Sequence, residues 1–275
     1  MLAEFDNIAE KARQAIAVQA SDYTVDGLLY CGKCHTPKQC RIEILGQIRM
    51  PYHLCKCEEE QDRRMQEKIR QDQTERLRKD CFPDAEMCSW QFAADDGTGD
   101  RKAMSAMKNY AEKFQIMQEK QLGILLYGDV GVGKSFAAAC VANALMTNGY
   151  FVKWLSAIQI VENCYFRNEQ EQEEYTKSIT SPDLLILDDL GAERRTDFAT
   201  ERIHSLINAR ILTGKPMLVT TNLTPDQLTN TGDIQKNRIF SRLFKMTIPV
   251  QYTGSDRRRM AMKQNYQAVK DLLGL

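Results

Sequence analysis

The sequence predicts an α/β domain wound on both faces of a five-stranded parallel sheet, preceded by a small cysteine-rich module. Three observations predict it. Residues 128–135 read Gly-Asp-Val-Gly-Val-Gly-Lys-Ser, a complete G-x-x-x-x-G-K-S phosphate loop set between an apolar run at 123–127 and a helical run at 136–146. Leu184-Leu185-Ile186-Leu187-Asp188-Asp189 is a buried-strand pattern that delivers two acids to the C-terminal edge of a sheet. Five of the nine cysteines fall between residues 31 and 57.

The residue types of the loop dictate its chemistry. Gly128, Gly131 and Gly133 let the backbone curl, so that amides through Asp129, Val130, Val132 and on to Phe136 surround phosphate oxygens at a helix N-terminus. Lys134 is expected on the β- and γ-phosphates of ATP, and Ser135 offers its hydroxyl to Mg²⁺. Asp188 is expected to hold Mg²⁺ through water, while Asp189 orients or deprotonates the water that attacks the γ-phosphate. A side chain as short as Asp189 must reach further than a glutamate, so turnover is expected to be slow, and a nucleotide-gated adaptor that binds ATP with little hydrolysis stays open as an alternative.

Composition bounds the rest. A chain of 275 residues holds one large α/β domain and a smaller appendage, and 43% hydrophobic residues suffice for a core. Lys+Arg and Asp+Glu are both 37, so no global basic field marks the chain for nucleic acid, and any such surface is local. No apolar run is long enough to span a bilayer, and Met1-Leu-Ala-Glu-Phe-Asp lacks a signal core. The expectation is a cytoplasmic protein with no membrane partner.

The cysteines cluster as metal ligands do. Cys31-Gly-Lys-Cys34 and Cys55-Lys-Cys57 are expected to converge on one Zn²⁺, each pair on a tight turn and a short hairpin between them. Cys40 lies outside both pairs, and His35 and His53 each neighbour a cysteine, so a set that includes one of them stays open. Zinc would supply much of the folding energy of so small a module.

Along the chain, Phe5, Ile8, Ala12 and Ile16 mark one helical face over residues 4–19. Residues 58–80 read as a solvated helical linker, with Glu59–Arg63, Glu60–Arg64, Asp72–Arg76 and Glu75–Lys79 at i, i+4. Residues 1–80 are thus expected to hold the helix, metal module and linker, 81–100 to be a joining segment, and 101–275 the nucleotide domain. Strands are expected at 123–127, 150–155, 183–188, 216–221 and 246–250, with a helix from Glu201 to Leu212 before Gly214. His204, on that helix, is read as a packed or surface histidine.

Three later features refine the site. Asn222 ends a strand at the same sheet edge as Asp188, where it can hold the attacking water or sense the γ-phosphate. Arg238 and Arg242 are i, i+4 on one helix, and Arg242 is expected to reach the nucleotide of a neighbouring copy rather than its own. Gly254-Ser-Asp-Arg257-Arg258-Arg259 opens a helical run from which one arginine can touch nucleotide.

The order GDVGVGKS, LLILDDLG, TTN, SRL and GSDRR, after a CxxC and CxC cluster, resembles the replicative-helicase loaders of the DnaC/DnaI type within the AAA+ ATPases, and is also similar to IstB-type transposition ATPases. The resemblance covers residues 101–260 and, more loosely, the cysteine segment. It implies an AAA+ P-loop ATPase domain, with Lys134 and Ser135 as Walker A, Asp188 and Asp189 as Walker B, Asn222 as sensor I, Arg242 as arginine finger in trans and Arg258 as sensor II. Arg257 and Arg259 compete for the last role. It further implies that the N-terminal module binds a hexameric DnaB-type helicase and that the ATPase part engages single-stranded DNA. Tyr165-Phe166-Arg167 is the candidate stacking segment, opposed by the nearby Glu169, Glu171, Glu173 and Glu174.

Overall fold

A computed structural model describes residues 18–193, 196–230, 232 and 234–273. The helix expected over 4–19 lies outside the described residues except for Val18 and Gln19, which are not helical. The contacts divide the chain into two compact units, between Gln73 and Thr74.

The first unit is built from two small antiparallel hairpins, β1 (Tyr23–Val25) with β2 (Leu28–Tyr30), and β3 (Ile42–Ile44) with β4 (Gln47–Arg49). Each turns on two left-handed residues, Asp26-Gly27 (φ 50° and 77°) and Leu45-Gly46 (φ 52° and 75°), the backbone that matches strand twist in a tight hairpin. β3–β4 is the hairpin expected between the cysteine pairs. β1–β2 is an addition, because three-residue strands leave no readable alternation.

Helix α1 (Lys56–Cys81) follows. Its surface carries the expected Glu60–Arg64 and Glu75–Lys79 pairs at 2.8 and 3.3 Å, whereas Arg63 turns to Glu60 instead of Glu59. Residues 81–100, expected as a join, belong to the second unit and send three side chains into its core. Cys81, Phe82 and Met87 are buried there, and two short 3-10 helices, Ala85–Ser89 and Phe92–Ala94, are stapled to the domain by Asn143, whose amide donates to Met87 O and Trp90 O at 2.8 Å. Pro83 and the Asp/Gly run after residue 95 read as loop, and they masked the apolar residues between them.

The second unit continues with α2 (Arg101–Glu112), capped by Asp100, and α3 (Phe114–Glu119). The alternation then runs β5 (Gly123–Tyr127), α4 (Lys134–Thr147), β6 (Val152–Ser156), α5 (Ala157–Tyr165), α6 (Glu169–Thr180) and β7 (Leu184–Leu190). It closes with α7 (Asp197–Thr213), β8 (Met217–Thr221), α8 (Pro225–Thr229), α9 (Ile234–Met246), β9 (Thr247–Gln251) and α10 (Arg257–Leu273). The five strands are parallel in the order β6-β7-β8-β5-β9, each within two residues of its expected bounds. Strand order reverses at β5, and a ligand site belongs at such a switch point.

Alternate strand residues feed two cores. Ile124, Leu126, Trp154 and Ile186 face α2, α4 and the 3-10 segment, while Leu125, Leu155, Leu187 and Val219 face α5, α7 and α9. Arg210 locks the base of the second layer. Its fully buried guanidinium donates to the carbonyls of Thr180, Pro182, Asp183 and Pro216 at 2.5–3.2 Å, tying the end of α6 to the starts of β7 and β8. Burial lowers its pKa to about 10, yet it stays charged at neutral pH. Replacing it by leucine orphans these carbonyls. Arg210→Leu is therefore expected to lower unfolding free energy by about 3 kcal/mol in urea titration; an unchanged midpoint contradicts the assignment.

Candidate functional site

The phosphate loop runs from the end of β5 into α4 with Gly128, Gly131 and Gly133 at φ 154°, 80° and 112°. Gly128 is required by space as well as by conformation, since a side chain there would meet backbone, whereas at Gly131 the crowding comes from a side chain. A Cβ on Gly128 would lie 2.0 Å from Tyr252 O, and one on Gly131 2.1 Å from the Asp256 carboxylate. The loop is also bonded to the chain that packs over it, through Tyr252 N to Tyr127 O (2.7 Å) and Arg257 N to Gly131 O (3.0 Å).

Lys134 is buried, and its Nζ donates to Gly128 O (2.9 Å), Asp129 O (2.7 Å) and Asn222 Oδ1 (2.8 Å). Burial holds its pKa below the usual lysine value, against Asp189, Asp188 and Asp129, which raise it. Ser135 Oγ donates to Asp188 Oδ1 at 3.1 Å, so the two groups expected on one magnesium ion meet at one point. Asp188 is pushed above the usual carboxylate range by burial and by Asp189, opposed by hydrogen bonds from Thr220 and Ser135.

Asp189 is set apart from Asp188 by a β-bulge. Between Leu187 and Leu190 the register of β7 against β8 slips, and Asp189 adopts φ 53°. Thr220 joins the two acids: its hydroxyl donates to Asp188 Oδ1 at 2.5 Å and accepts from Asp189 N at 2.9 Å.

A cavity of about 490 Å³ opens over these residues, lined by Val130, Gly131, Lys134, Ser135, Phe136, Asp189, Asn222, Arg257 and Arg258. Glu86 and Trp90 complete its wall, and Trp90 meets Phe136 at 5.6 Å between ring centroids. Neither carries a signal in the sequence, since their place in the site depends on the 3-10 segment folding onto α4. Of the three candidate arginines, Arg257 and Arg258 both line the cavity. Arg257 is braced by Asp96 and by Thr98 Oγ1 (3.0 Å), whereas Arg259 pairs with Asp256 at 3.6 Å. Arg242 lies elsewhere, lining a separate cavity of about 720 Å³.

The residues present fit a magnesium nucleotide. Loop amides and the buried ammonium suit phosphates, and the oxygens of Ser135 and Asp188 are hard ligands suited to Mg²⁺.

In the first unit, the Sγ atoms of Cys31, Cys34, Cys55 and Cys57 all lie within 4.8 Å of one another, with Cys31–Cys57 at 3.5 Å and Cys55–Cys57 at 3.2 Å. Zn–S bonds of about 2.3 Å in a tetrahedron place sulfurs roughly 3.8 Å apart, so the cluster has the size a metal needs. The Thr36 hydroxyl, 3.0 Å from Cys34 Sγ, lowers that thiol's pKa to about 5, and hydrogen bonds from the Cys34 and Lys33 amides lower that of Cys31. These two shifts favour the thiolate that metal binding requires, whereas burial raises the Cys55 thiol and, opposed by Cys55, the contact with Cys31 raises that of Cys57, so the sulfurs share protons between the two pairs. The alternative ligands stand apart from this cluster: His35 Nδ1 meets Tyr23 Oη at 3.0 Å, His53 Nδ1 meets Leu54 O at 3.0 Å, and Cys40 is exposed.

An unforeseen ion cage supports both turns. The fully buried Lys38 ammonium sits 3.0 Å from Asp22 and 2.7 Å from Glu58. Asp22 in turn accepts from Gly32 N and Glu58 from Cys55 N, each at 3.1 Å, so one cation orients the backbone at each cysteine pair.

A family model described as IstB-like ATP binding protein matches residues 53–264. The replicative helicase loader DnaI of Bacillus subtilis (strain 168) is 27% identical over 152 residues, 50% of this chain and 48% of that protein. An insertion-sequence ATP-binding protein of Mycobacterium tuberculosis (strain ATCC 25618 / H37Rv) is 31% identical over 108 residues, 38% of this chain and 41% of that one. The chain thus spans about half the length, or less, of these relatives. Among solved structures, DnaI aligns with TM-score 0.55 at 21% identity over 63% of this chain and 96% of that one. The DnaC helicase loader aligns with TM-score 0.52 at 19% identity, over 62% and 100% respectively. These likenesses show the fold, an AAA+-like α/β domain with a five-stranded parallel sheet. With more than half of its residues inside the family model, the chain belongs to the IstB-like ATP-binding protein family.

Proposed function

We propose that the chain is an ATP-dependent loader that binds a hexameric DnaB-type replicative helicase and places it on single-stranded DNA, hydrolysing ATP slowly at sites shared between copies. The observation that carries this reading is the presence, in one chain, of an assembled Lys134–Asn222–Asp188 phosphate site and a separate four-thiol module. The likeness to DnaI supports it.

In the ATPase site, Lys134 and the loop amides would hold the phosphates, and Ser135 and Asp188 the magnesium, whose charge would draw electron density from the γ-phosphate when bound. Asn222 and the Gly128 and Asp129 carbonyls keep the ammonium aimed along the loop. Asp189, facing the cavity, orients the attacking water and accepts its proton. Arg258 contacts nucleotide from α10, beside the braced Arg257. Arg242 of a second copy neutralises charge on the γ-phosphate.

In the first unit, Cys31, Cys34, Cys55 and Cys57 hold Zn²⁺, and the module grips the helicase. Single-stranded DNA passes the end of α5, where Tyr165 and Phe166 are exposed and Phe166 is 93% accessible, enough for a base to stack. Among the described residues no helix is long and apolar enough to cross a membrane.

A second reading, an ATPase helper of DNA transposition, is favoured by the family model and by the insertion-sequence relative. Co-purification with the replicative helicase of the same cell separates the two: a stable complex that depends on ATP is expected, and retention by a transposase without helicase binding overturns the loader reading.

Calorimetry with magnesium present is expected to show ATP uptake that Lys134→Ala weakens by about 100-fold, with an unchanged circular dichroism spectrum. Purified protein never exposed to chelator is expected to carry one zinc per chain by metal analysis, and Cys31→Ser to lose it. Metal-free wild-type protein in which all five thiols of the first unit react, rather than the exposed Cys40 alone, overturns that assignment.

A further inference from the structure

Arg242 is exposed, and the cavity it lines has three further cations, Lys120, Lys215 and Lys245, and no carboxylate. Among the described residues no acid lies within ion-pair distance of its guanidinium. Its contacts are neutral ones from α7. Nη1 donates to Asn208 Oδ1 and lies 3.2 Å from His204 Nε2. His204 and Asn208 are i, i+4, adjacent turns on one face of the helix, so the two side chains form a single two-point acceptor.

The chemistry of that contact is restrictive. A guanidinium has five donors and no acceptor, so His204 Nε2 receives the hydrogen bond only while the ring is neutral and its proton sits on Nδ1. Protonation turns Nε2 into a donor and sets two cations face to face. An acid in place of the histidine would hold Arg242 more tightly but would also cancel the charge that a γ-phosphate needs. A neutral clamp fixes direction and leaves the charge available.

We propose that His204 and Asn208 are positioning residues: with its ring neutral, His204 joins Asn208 in holding the Arg242 guanidinium in the orientation that serves the nucleotide of a second copy, and protonation of the ring releases it. This rests on the trans role of Arg242 proposed above. The charged groups facing His204 are Arg242 from α9 and Glu201 from its own helix, the latter paired with Arg202 at 2.7 Å. Burial and then Arg242 hold the ring below the usual histidine value, while Glu201 opposes them. The ring is therefore neutral at physiological pH, and the switch acts on the acid side, below about pH 6.5.

The test measures ATP turnover of the full chain against protein concentration from about pH 5.5 to pH 7.5, together with an imidazole NMR titration. His204→Ala and Asn208→Ala are expected to lower kcat about tenfold at neutral pH with little change in KM. His204→Gln, whose amide oxygen accepts at every pH, restores most of that loss and abolishes the acid limb specific to the wild type. In the titration, the resonance missing from His204→Gln identifies His204, and its pKa rises in Arg242→Ala. If Arg242→Ala is impaired but His204→Ala is not, or if His204 titrates identically with and without Arg242, the clamp is wrong and the trans role stands. If Arg242→Ala itself turns over like wild type at every concentration, the shared-site reading fails and takes the clamp with it.

Discussion

The buried Lys134 ammonium is the constraint around which the second unit is arranged. An ammonium taken out of water needs acceptors, and this one finds them in two loop carbonyls and the amide of Asn222, which closes a link across 88 residues of sequence. Burial lowers its pKa, while burial raises that of Asp188 a short distance away. Cation and acid are both pushed toward neutrality by the same dry surroundings. Such a site favours a ligand that brings both signs at once, negative to the ammonium and positive to the carboxylate. A magnesium triphosphate has that distribution of charge.

Holding the lysine there requires a loop that other structure keeps in shape. Gly128 and Gly131 leave space that Tyr252 O and the Asp256 carboxylate occupy, and backbone bonds from Tyr252 and Arg257 fasten the loop to the chain that follows β9. The same contacts set where α10 begins. They also bring Arg257 within 5.9 Å of the Phe136 ring and against Asp96, so the C-terminal helix and the 3-10 segment become walls of one cavity.

The parts of this arrangement that were legible in sequence are those whose signal is local. The loop, the strand ending in Asp188-Asp189, and the five-strand alternation each lie within a short window, and the structure reproduces them. The cysteine pairs were legible for the same reason. What was not legible depends on partners far away. Arg257 reaches Asp96 across 161 residues, and Asn143 reaches Met87 across 56, which is why residues 81–94 read as a join and yet pack onto the core. Lys38 gave no sign of its cage, because Asp22 and Glu58 are remote in sequence and a lone lysine ordinarily marks a surface.

The two adjacent acids show how a local exception creates function. In a regular strand, Asp188 and Asp189 would point to opposite faces of the sheet, and only one could serve a site at its edge. The bulge breaks the alternation. One extra residue between Leu187 and Leu190, with Asp189 in a left-handed conformation, leaves Asp188 turned to Ser135 and Thr220 while Asp189 lines the cavity. The cost is of order 1–3 kcal/mol for a non-glycine residue held there, and the bond from Asp189 N to Thr220 offsets part of it. Backbone displacement thus brings a second short carboxylate to the cavity edge, where an unbroken strand would have turned it to the other face of the sheet.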